Sequence, residues 1–513
     1  MAGTRLRQRY HLLRPYLLSA AAGGLASLSL PPLYLSPAIL LLGFVFYQAA
    51  HASGWRQAVC HMAAGGYGWF VISLYWISHS LLIGTQDYLF LLPVSFLGIP
   101  VIVTIFWAVG GLAGFMIATH PAARLVAFVA GLSLAEWGRE FIATGFPWNA
   151  PGLIFLATQP TSQLASLFGQ TGLNIWAFAL AAVIPFYLSV PKRQRHKVVM
   201  AAILCGATFG ALVVYATQPA PVTADNAATV RLVQPHIPQA EKWDRSARAT
   251  HLAHMAKLSL APAQVPVDLV IWPESAFAGD YSRAQDLLAD LAGQIRAHHQ
   301  AEGGAGGLIM GSLRIDDTDQ IKNTALYFEG AGSPHLYDKT HLVPFGEYVP
   351  WRVIPFIDAI AGPHDFTPGE AVTPFSIADI GQVQVLICYE AIFPALTGRA
   401  TKRPDLLVNL TNDAWFGHTA GPYQHLAQTR MTAISYGVPL LRVANTGISA
   451  AFDATGQQLA AIPLGQTDFV DLRLPPPLPV PFFARFGALL AGFMVAALLI
   501  GAVLLDRLPQ NRQ

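Results

Sequence analysis

Charge is scarce in this 513-residue chain: Asp, Glu, Lys and Arg together make up 12% of it, against about a quarter in soluble globular proteins. That shortage excludes a purely cytosolic globular enzyme as the simplest reading. The net charge is only +2, and nucleic acid is not expected as a partner, because binding phosphates needs a concentrated basic surface. Cysteine is nearly missing, with three widely spaced residues; a disulfide scaffold and a Cys-rich zinc module are both excluded. No internal repeat or low-complexity tract interrupts the chain. What is abundant is apolar surface, at 53% of residues, and that rules out disorder.

The few charges are unevenly placed. Residues 15–218, a stretch of 204, contain ten, whereas the 264 residues from 219 to 482 contain 42. Residues 486–505 contain none and are bracketed by Arg485 and Asp506. Twenty apolar residues in a helix match the roughly 30 Å hydrocarbon core of a bilayer. The expected plan is a transmembrane helical bundle over 1–218, an α/β domain of ordinary composition over 219–482, and a C-terminal anchor and tail over 483–513. Apolar runs at 15–33, 37–50, 58–83, 88–117, 125–137, 173–190, 198–217 and 486–505 predict about eight spans, the fourth interrupted by Pro93 and Pro100.

Lys and Arg residues orient these spans by the positive-inside rule. Arg5, Arg7, Arg9 and Arg14 precede the first; Arg56, Arg124 and the Lys192, Arg193, Arg195, Lys197 group follow the second, fourth and sixth; Arg507 and Arg512 follow the last. Loops of the other parity are almost free of them. Both termini are then cytoplasmic and the 219–482 domain lies outside. A cleaved signal peptide is the alternative for the first span, but no small-residue cleavage site leads into a soluble domain. Glu136, Arg139 and Glu140, near the outer end of the fifth span, fit local pairing within the bundle or a functional intramembrane site.

In the outer domain, short β-rich runs at 229–233, 267–272, 307–312, 324–329, 383–388 and 405–409 alternate with helical periodicity at 248–259 and 283–299, and a hairpin is expected after 442. Near-continuous apolar strands of this kind belong to sheets covered on both faces. The runs 303–307 and 363–365 carry no assignment.

Three motifs lie at strand ends, where α/β domains present reactive groups. Leu269-Val-Ile-Trp-Pro-Glu-Ser places Glu274 just past a buried strand. Tyr337-Asp-Lys-Thr-His carries Lys339, with Glu347 eight residues on. Val383-Gln-Val-Leu-Ile-Cys-Tyr-Glu ends in Cys388, Tyr389 and Glu390. Each has an ordinary structural reading: a small buried hydrophobe for the cysteine, a helix cap for the glutamate, a solvated loop for the lysine. Jointly they supply acyl transfer through a thioester, with a carboxylate as base, a thiol as nucleophile and an ammonium for the oxyanion. The lysine is also expected to lower the thiol pKa. As the only cysteine of a domain placed in an oxidising compartment, Cys388 has no partner there for a disulfide.

These motifs, in this order and 65 and 49 residues apart, resemble the carbon–nitrogen hydrolase (nitrilase) superfamily. With the spans, the Leu74-Tyr-Trp-Ile and Gly145-Phe-Pro-Trp-Asn-Ala runs, and the stretches around Leu232, Val343, Leu410 and Arg442, the whole chain is similar to its membrane-embedded branch, the bacterial apolipoprotein N-acyltransferases. The resemblance implies an α-β-β-α sandwich outside an inner (cytoplasmic) membrane, on the periplasmic side. It implies Glu274 as general base, Lys339 as oxyanion stabiliser and Cys388 as nucleophile, with Glu347, Tyr389, Glu390, Trp243 and Asn323 shaping the site. Trp415 and Phe416 are candidates for a lid or a membrane-level contact, or for packing in the sandwich.

The implied reaction moves the sn-1 acyl chain of a phospholipid, phosphatidylethanolamine by expectation, onto Cys388 and then onto the α-amino group of a diacylated apolipoprotein. The implied partners are that phospholipid, that lipoprotein and the bilayer; no cofactor and no metal are expected, and the chain is expected to be a monomer. A membrane-tethered amidase using water as acceptor, and an inactive lipoprotein-binding scaffold or transporter, remain the alternatives. The intact triad weighs against the scaffold, and the spans lack the paired broken helices of a transporter.

Overall fold

The computed structural model describes residues 2–83, 86–350 and 365–508. Residues 363 and 364 of the unassigned loop, and Arg512, lie outside these. The chain divides into two compact units, one made of residues 1–78, 90–217 and 485–513, the other of 79–89 and 218–484.

The first unit is all helical. Its main helices are α1 (Ala2–Ala26), α2 (Leu42–Ala50), α3 (Trp55–Ser73), α4 (Ile99–Ile117), α5 (Pro121–Gly138), α6 (Ala165–Ser189) and α7 (Arg195–Ala216), joined by the C-terminal helix Leu489–Arg507. Among the described residues, four helical stretches are long and apolar enough to cross a membrane: Leu89–Ile117, Ala165–Ser189, Lys192–Ala216 and Leu489–Arg507. The prolines expected to interrupt the fourth span sit where a helix tolerates them. Pro93 precedes a π-helical turn at Val94–Gly98, and Pro100 occupies the first turn of α4. The first helix begins thirteen residues before the apolar run, through Pro15, and ends by Ala26 in a 3₁₀ turn.

Close packing here depends on missing side chains. A Cβ on Gly68 of α3 would lie 1.8 Å from the Ala20 carbonyl oxygen of α1, and one on Gly23 only 1.9 Å from that of Gly65. Trp69, Trp107, Phe46, Phe70 and Phe178 fill the centre. The charged group of α5 is paired locally: Glu136 accepts from Trp107 Nε1 at 2.7 Å and pairs with Arg139 at 2.5 Å, whose other nitrogen donates to the Phe146 and Trp148 carbonyls. A buried ion pair that also ties down a loop fits the structural reading of these residues.

The second unit is a sandwich of two mixed sheets. One has the order β13 (Asp468–Arg473), β1 (Thr229–Gln234), β2 (Leu269–Ile271), β4 (Gly307–Ile315), β5 (Ile321–Phe328), β6 (His335–Asp338), with β3 (Phe277–Asp280) beside β4. The other runs β12 (Gln458–Ile462), β11 (Ser449–Phe452), β10 (Leu440–Ala444), β9 (Leu406–Thr411), β8 (Gly381–Ile387), β7 (Phe375–Ile377). Strands β1, β2 and β4 are mutually parallel, as are β8, β9 and β10.

Period-two alternation sends Val230 and Leu232 of β1, and Val383, Val385 and Ile387 of β8, into one apolar layer between the sheets. Each such side chain is worth about 1.5–3 kcal/mol when fully buried. Helices α8 (Arg248–Ser259) and α9 (Gln285–Ala301) cover the outer face of the first sheet through Leu252, Met255, Leu288 and Ile295. Helix α10 (Gly421–Tyr436) covers the second through Ala433 and Tyr436, and stops at Gly437 in the left-handed conformation. The arrangement is α-β-β-α. The strands legible in the sequence are the central ones; β3, β6, β7 and β12, of three to five residues, and the edge strand β13 are not.

Candidate active site

Parallel strands all point their C-terminal ends one way, so both sheets deliver residues to the same rim. Glu274 follows β2 across Trp272 and Pro273, and Ser275 after it takes φ +47°. Lys339 directly follows β6, and Cys388 directly follows β8. Cys388 itself has φ +50°. A non-glycine residue held there costs roughly 1–3 kcal/mol, a cost that recurs at functional turns.

Four of the expected residues are bonded together. Asn323, near the start of β5, donates from Nδ2 to Glu274 Oε1 at 2.9 Å and to Glu347 Oε1 at 2.8 Å. Lys339 Nζ lies 2.9 Å from Glu347 and 3.9 Å from Glu274 Oε1. The main chain fixes the same group, since Lys339 N donates to the Asn323 carbonyl and Val343 N to Glu347 Oε2. Burial alone would lower the Lys339 pKa, but the Glu347 and Glu274 carboxylates outweigh it and hold the ammonium above the ordinary lysine range.

Cys388 is only partly buried by accessible area yet closely surrounded. Burial, then the Glu274 charge, push its thiol up to about 12, with Lys339 pulling the other way. Lys339 lowers the thiol pKa as expected, but the loss of solvent and the Glu274 carboxylate outweigh this one ammonium, which is already paired with Glu347. At neutral pH Cys388 therefore carries a protonated thiol.

Glu390 takes other partners. Fully buried, its carboxylate accepts from Tyr337 Oη, Thr340 N and Oγ1, His341 N and Ile387 N at 2.7–3.1 Å. It thereby ties the loop after Lys339 to the turn that presents Cys388. Tyr389 packs its ring 5.0 Å from Phe393 and 5.8 Å from His341. Trp243 is 45% exposed and Trp415 42% exposed, and Phe416 sets its ring edge-on to His425 at 6.3 Å. Neither Trp243 nor Trp415 is bonded to the Glu274, Asn323, Lys339, Glu347 group among the described residues.

Two further groups escaped the sequence reading. Lys242, the neighbour of Trp243, is buried and donates from Nζ to the main-chain oxygen of Glu274 at 3.0 Å. Burial lowers its pKa to about 8, against the charges of Glu274 and Cys388. The site thus balances two carboxylates, Glu274 and Glu347, with two ammoniums, Lys339 and Lys242. Beneath Cys388, Asp413, His425 and Arg442 form a fully buried network. His425 Nε2 donates to the Cys388 carbonyl at 3.1 Å, and its Nδ1 meets Arg442 at 3.1 Å. Arg442 pairs with Asp413 at 2.5 Å and bonds Asn409, which donates to the Leu386 carbonyl. Burial would raise the Asp413 pKa, but Arg442 and His425 reverse that and keep its carboxylate below the usual range. The Asn412-Asp413 and Arg442 stretches were visible as motifs; their meeting under the cysteine was not.

Comparison with known proteins fits both units. The Carbon-nitrogen hydrolase profile matches residues 229–474, and that of the Apolipoprotein N-acyltransferase N-terminal domain matches 22–183. An apolipoprotein N-acyltransferase of Rhodopseudomonas palustris is 32% identical over 96% of this chain and 95% of its own. One from Brucella melitensis is 34% identical over 82% and 80%. Among solved structures, an amidase from Nesterenkonia sp. is similar at 17% identity, over 53% of this chain and 98% of that one, with a TM-score of 0.39. With relatives of that identity matched over nearly its whole length, the chain belongs to the apolipoprotein N-acyltransferase family.

Proposed function

We propose that this membrane enzyme N-acylates lipoproteins by a two-step exchange through Cys388, with a phospholipid as donor. In the first step Glu274 takes the thiol proton and the sulfur attacks the sn-1 ester carbonyl. The oxyanion that forms is held by the Lys339 ammonium. The carbon–oxygen bond to glycerol breaks, the leaving oxygen takes the proton from Glu274, and an acyl thioester and a lysophospholipid result. In the second step the α-amino group of an S-diacylglyceryl-cysteine attacks the thioester and gives a proton to Glu274. The carbon–sulfur bond breaks, and the thiolate recovers the proton.

The observation that carries this reading is the neutral thiol beside a base: a sulfur held at about 12 is inert until Glu274 deprotonates it, which couples nucleophile formation to the attack. Glu347 and Asn323 position the two charged groups; Lys242 balances the second carboxylate. Phosphatidylethanolamine is the donor we favour. Trp415 and Phe416 are assigned to contact with lipid or to a lid. The proposed topology has about eight spans, with residues 1–218 as the bundle, 219–482 as a periplasmic catalytic domain and 483–513 as the final anchor and tail. Both termini lie in the cytoplasm, the membrane is the inner one, and the enzyme acts as a monomer. The distribution of Lys and Arg among the loops supports that orientation.

Intact-mass spectrometry after incubation with phosphatidylethanolamine tests the chemistry. Wild type should gain one fatty-acyl mass, removed by hydroxylamine and discharged by a diacylglyceryl-cysteine peptide. Cys388→Ala should gain none and Cys388→Ser almost none, and Glu274→Gln should bind lipid without forming the adduct. Turnover by Cys388→Ala would overturn the nucleophile assignment; hydrolysis of small amides with no acyl adduct would favour an amidase.

A further inference from the structure

Three ligand-bearing side chains meet at the C-terminal end of α9, where the chain turns into β4. That is the opposite end of the strands from Cys388, because β4 starts there and runs parallel to β2. His298 and His299 lie in the last turn and Glu302 caps it.

His299 is fully buried, and its Nε2 lies 3.0 Å from the Ser259 carbonyl oxygen at the end of α8. A carbonyl only accepts, so Nε2 carries the hydrogen and Nδ1 of the neutral ring presents a lone pair. That Nδ1 has no hydrogen-bond partner among the described residues, and it faces Glu302 Oε2 at 3.6 Å. Across the same carboxylate, His298 Nε2 is also without a hydrogen-bond partner and lies 3.7 Å from Glu302 Oε1. The His299 lone pair and the Glu302 carboxylate, both acceptors, therefore face each other. The contrast with His425 is instructive: there too an imidazole Nδ1 approaches a carboxylate, at 3.0 Å, but the Arg442 guanidinium meets the same nitrogen.

A metal ion resolves such a contact. The three ligand atoms lie within 4.8 Å of one another. The 3.6 Å from His299 Nδ1 to Glu302 Oε2 is what two ligands about 2.1 Å from a common ion subtend at about 120°. Imidazole fixed through its other nitrogen by a backbone carbonyl is the usual support of a metal ligand, and Ser259 supplies it here. The nearby Arg231 charge is already taken by Asp471 and by the Leu258, Ser259 and Ala261 carbonyls. The C-terminal end of α9 itself favours a cation. His298 and Glu302, with side chains 35% and 38% exposed, leave the ion a way in and room for water.

We propose that His298, His299 and Glu302 bind one divalent ion of the zinc class, with water completing the coordination. The ion would cross-link the last turn of α9 and hold the glycine-rich loop that follows, in which Gly303 and Gly306 take φ +92° and +69° and Ala305 N is tied to Asp268. Its part is structural and lies away from the acyl-transfer rim.

The test uses the full chain in detergent, stripped with a chelator and titrated with zinc chloride against a chromophoric chelator, alongside thermal unfolding. Wild type should take up one equivalent at micromolar or lower concentration and unfold several degrees higher with zinc than without. His298→Gln and Glu302→Gln, both at partly exposed positions, should keep the metal-free melting temperature, bind at least tenfold more weakly and lose the zinc-induced rise. Absence of saturable binding up to about 100 µM overturns the proposal, as does wild-type affinity in either variant, which would place the zinc on other histidines.

Discussion

Two glutamates and two lysines share the ground around Cys388, and the second lysine has a consequence that can be measured. Lys242 is protonated below about 8 and neutral above it. Two carboxylates then face one ammonium, and forming an oxyanion beside them becomes costlier. The acyl-transfer rate should therefore fall as pH rises through about 8. Lys242→Met should be about 10- to 100-fold slower at neutral pH, the size of one lost hydrogen bond to a charged group, and its profile should lack that limb. Lys242→Arg should move the limb to higher pH. Identical profiles in all three would show that the charge of Lys242 is irrelevant. Asp413 is the other residue to change. Its folded-state pKa is depressed by Arg442 and His425, so its contribution to stability is complete above the ordinary carboxylate range and is lost as pH falls below it. Asp413→Asn leaves the Arg442 guanidinium buried without its counter-charge, a loss of about 3–5 kcal/mol. A clear drop in melting temperature at pH 7, much smaller in strong acid, is the expected result.

Elements in the two units are held by different physics. In the sandwich, apolar alternation places one face of each central strand in the inter-sheet layer, and the rim residues are carried on strand ends braced from both sides. In the helical unit, contact between α1 and α3 requires backbone against backbone. Gly68→Val should force the helices apart, because even its Cβ would lie 1.8 Å from the Ala20 oxygen. Overpacking of this kind typically costs about 1–3 kcal/mol. Thermal unfolding of the variant in detergent checks the prediction; an unchanged midpoint would mean that α1 does not pack there. The elements that escaped sequence reading were the short strands. β7 has three residues and β6 four, too few for periodicity to register, and β12 is mostly exposed, so its pattern carries no core signal. Their strand conformation comes from hydrogen bonds supplied by a neighbour.

For the molecule as a whole, the proposed topology makes Lys192–Gln194 cytoplasmic and the start of the second unit periplasmic. In a background lacking Cys60, Cys205 and Cys388, Asp225→Cys, at a fully exposed position, should react with a membrane-impermeant maleimide on intact cells. Gln194→Cys should react only after the inner membrane is breached. The reverse pattern would invert the orientation. A glycerophospholipid donor and a lipoprotein acceptor both reside in a bilayer, so a membrane-anchored enzyme meets each at high local concentration.

From sequence alone, an α/β domain in the C-terminal part and apolar helices before it were legible, because hydropathy and charge are local properties that survive without a fold. So were the strand-end positions of Glu274 and Cys388, since each follows its own apolar run, whereas the four-residue strand that carries Lys339 had no such signal. Tertiary structure alone decided that Asn323 bridges Glu274 and Glu347, that Glu390 braces two loops, and that Lys242 points under Glu274. It also brought Asp413, His425 and Arg442 together beneath the cysteine and set the thiol high. These depend on which groups a burial brings within a few ångströms, across separations of up to 53 residues as in the bond from Tyr337 Oη to Glu390. Coulomb energy and desolvation follow distance in space, and distance along the chain does not encode it.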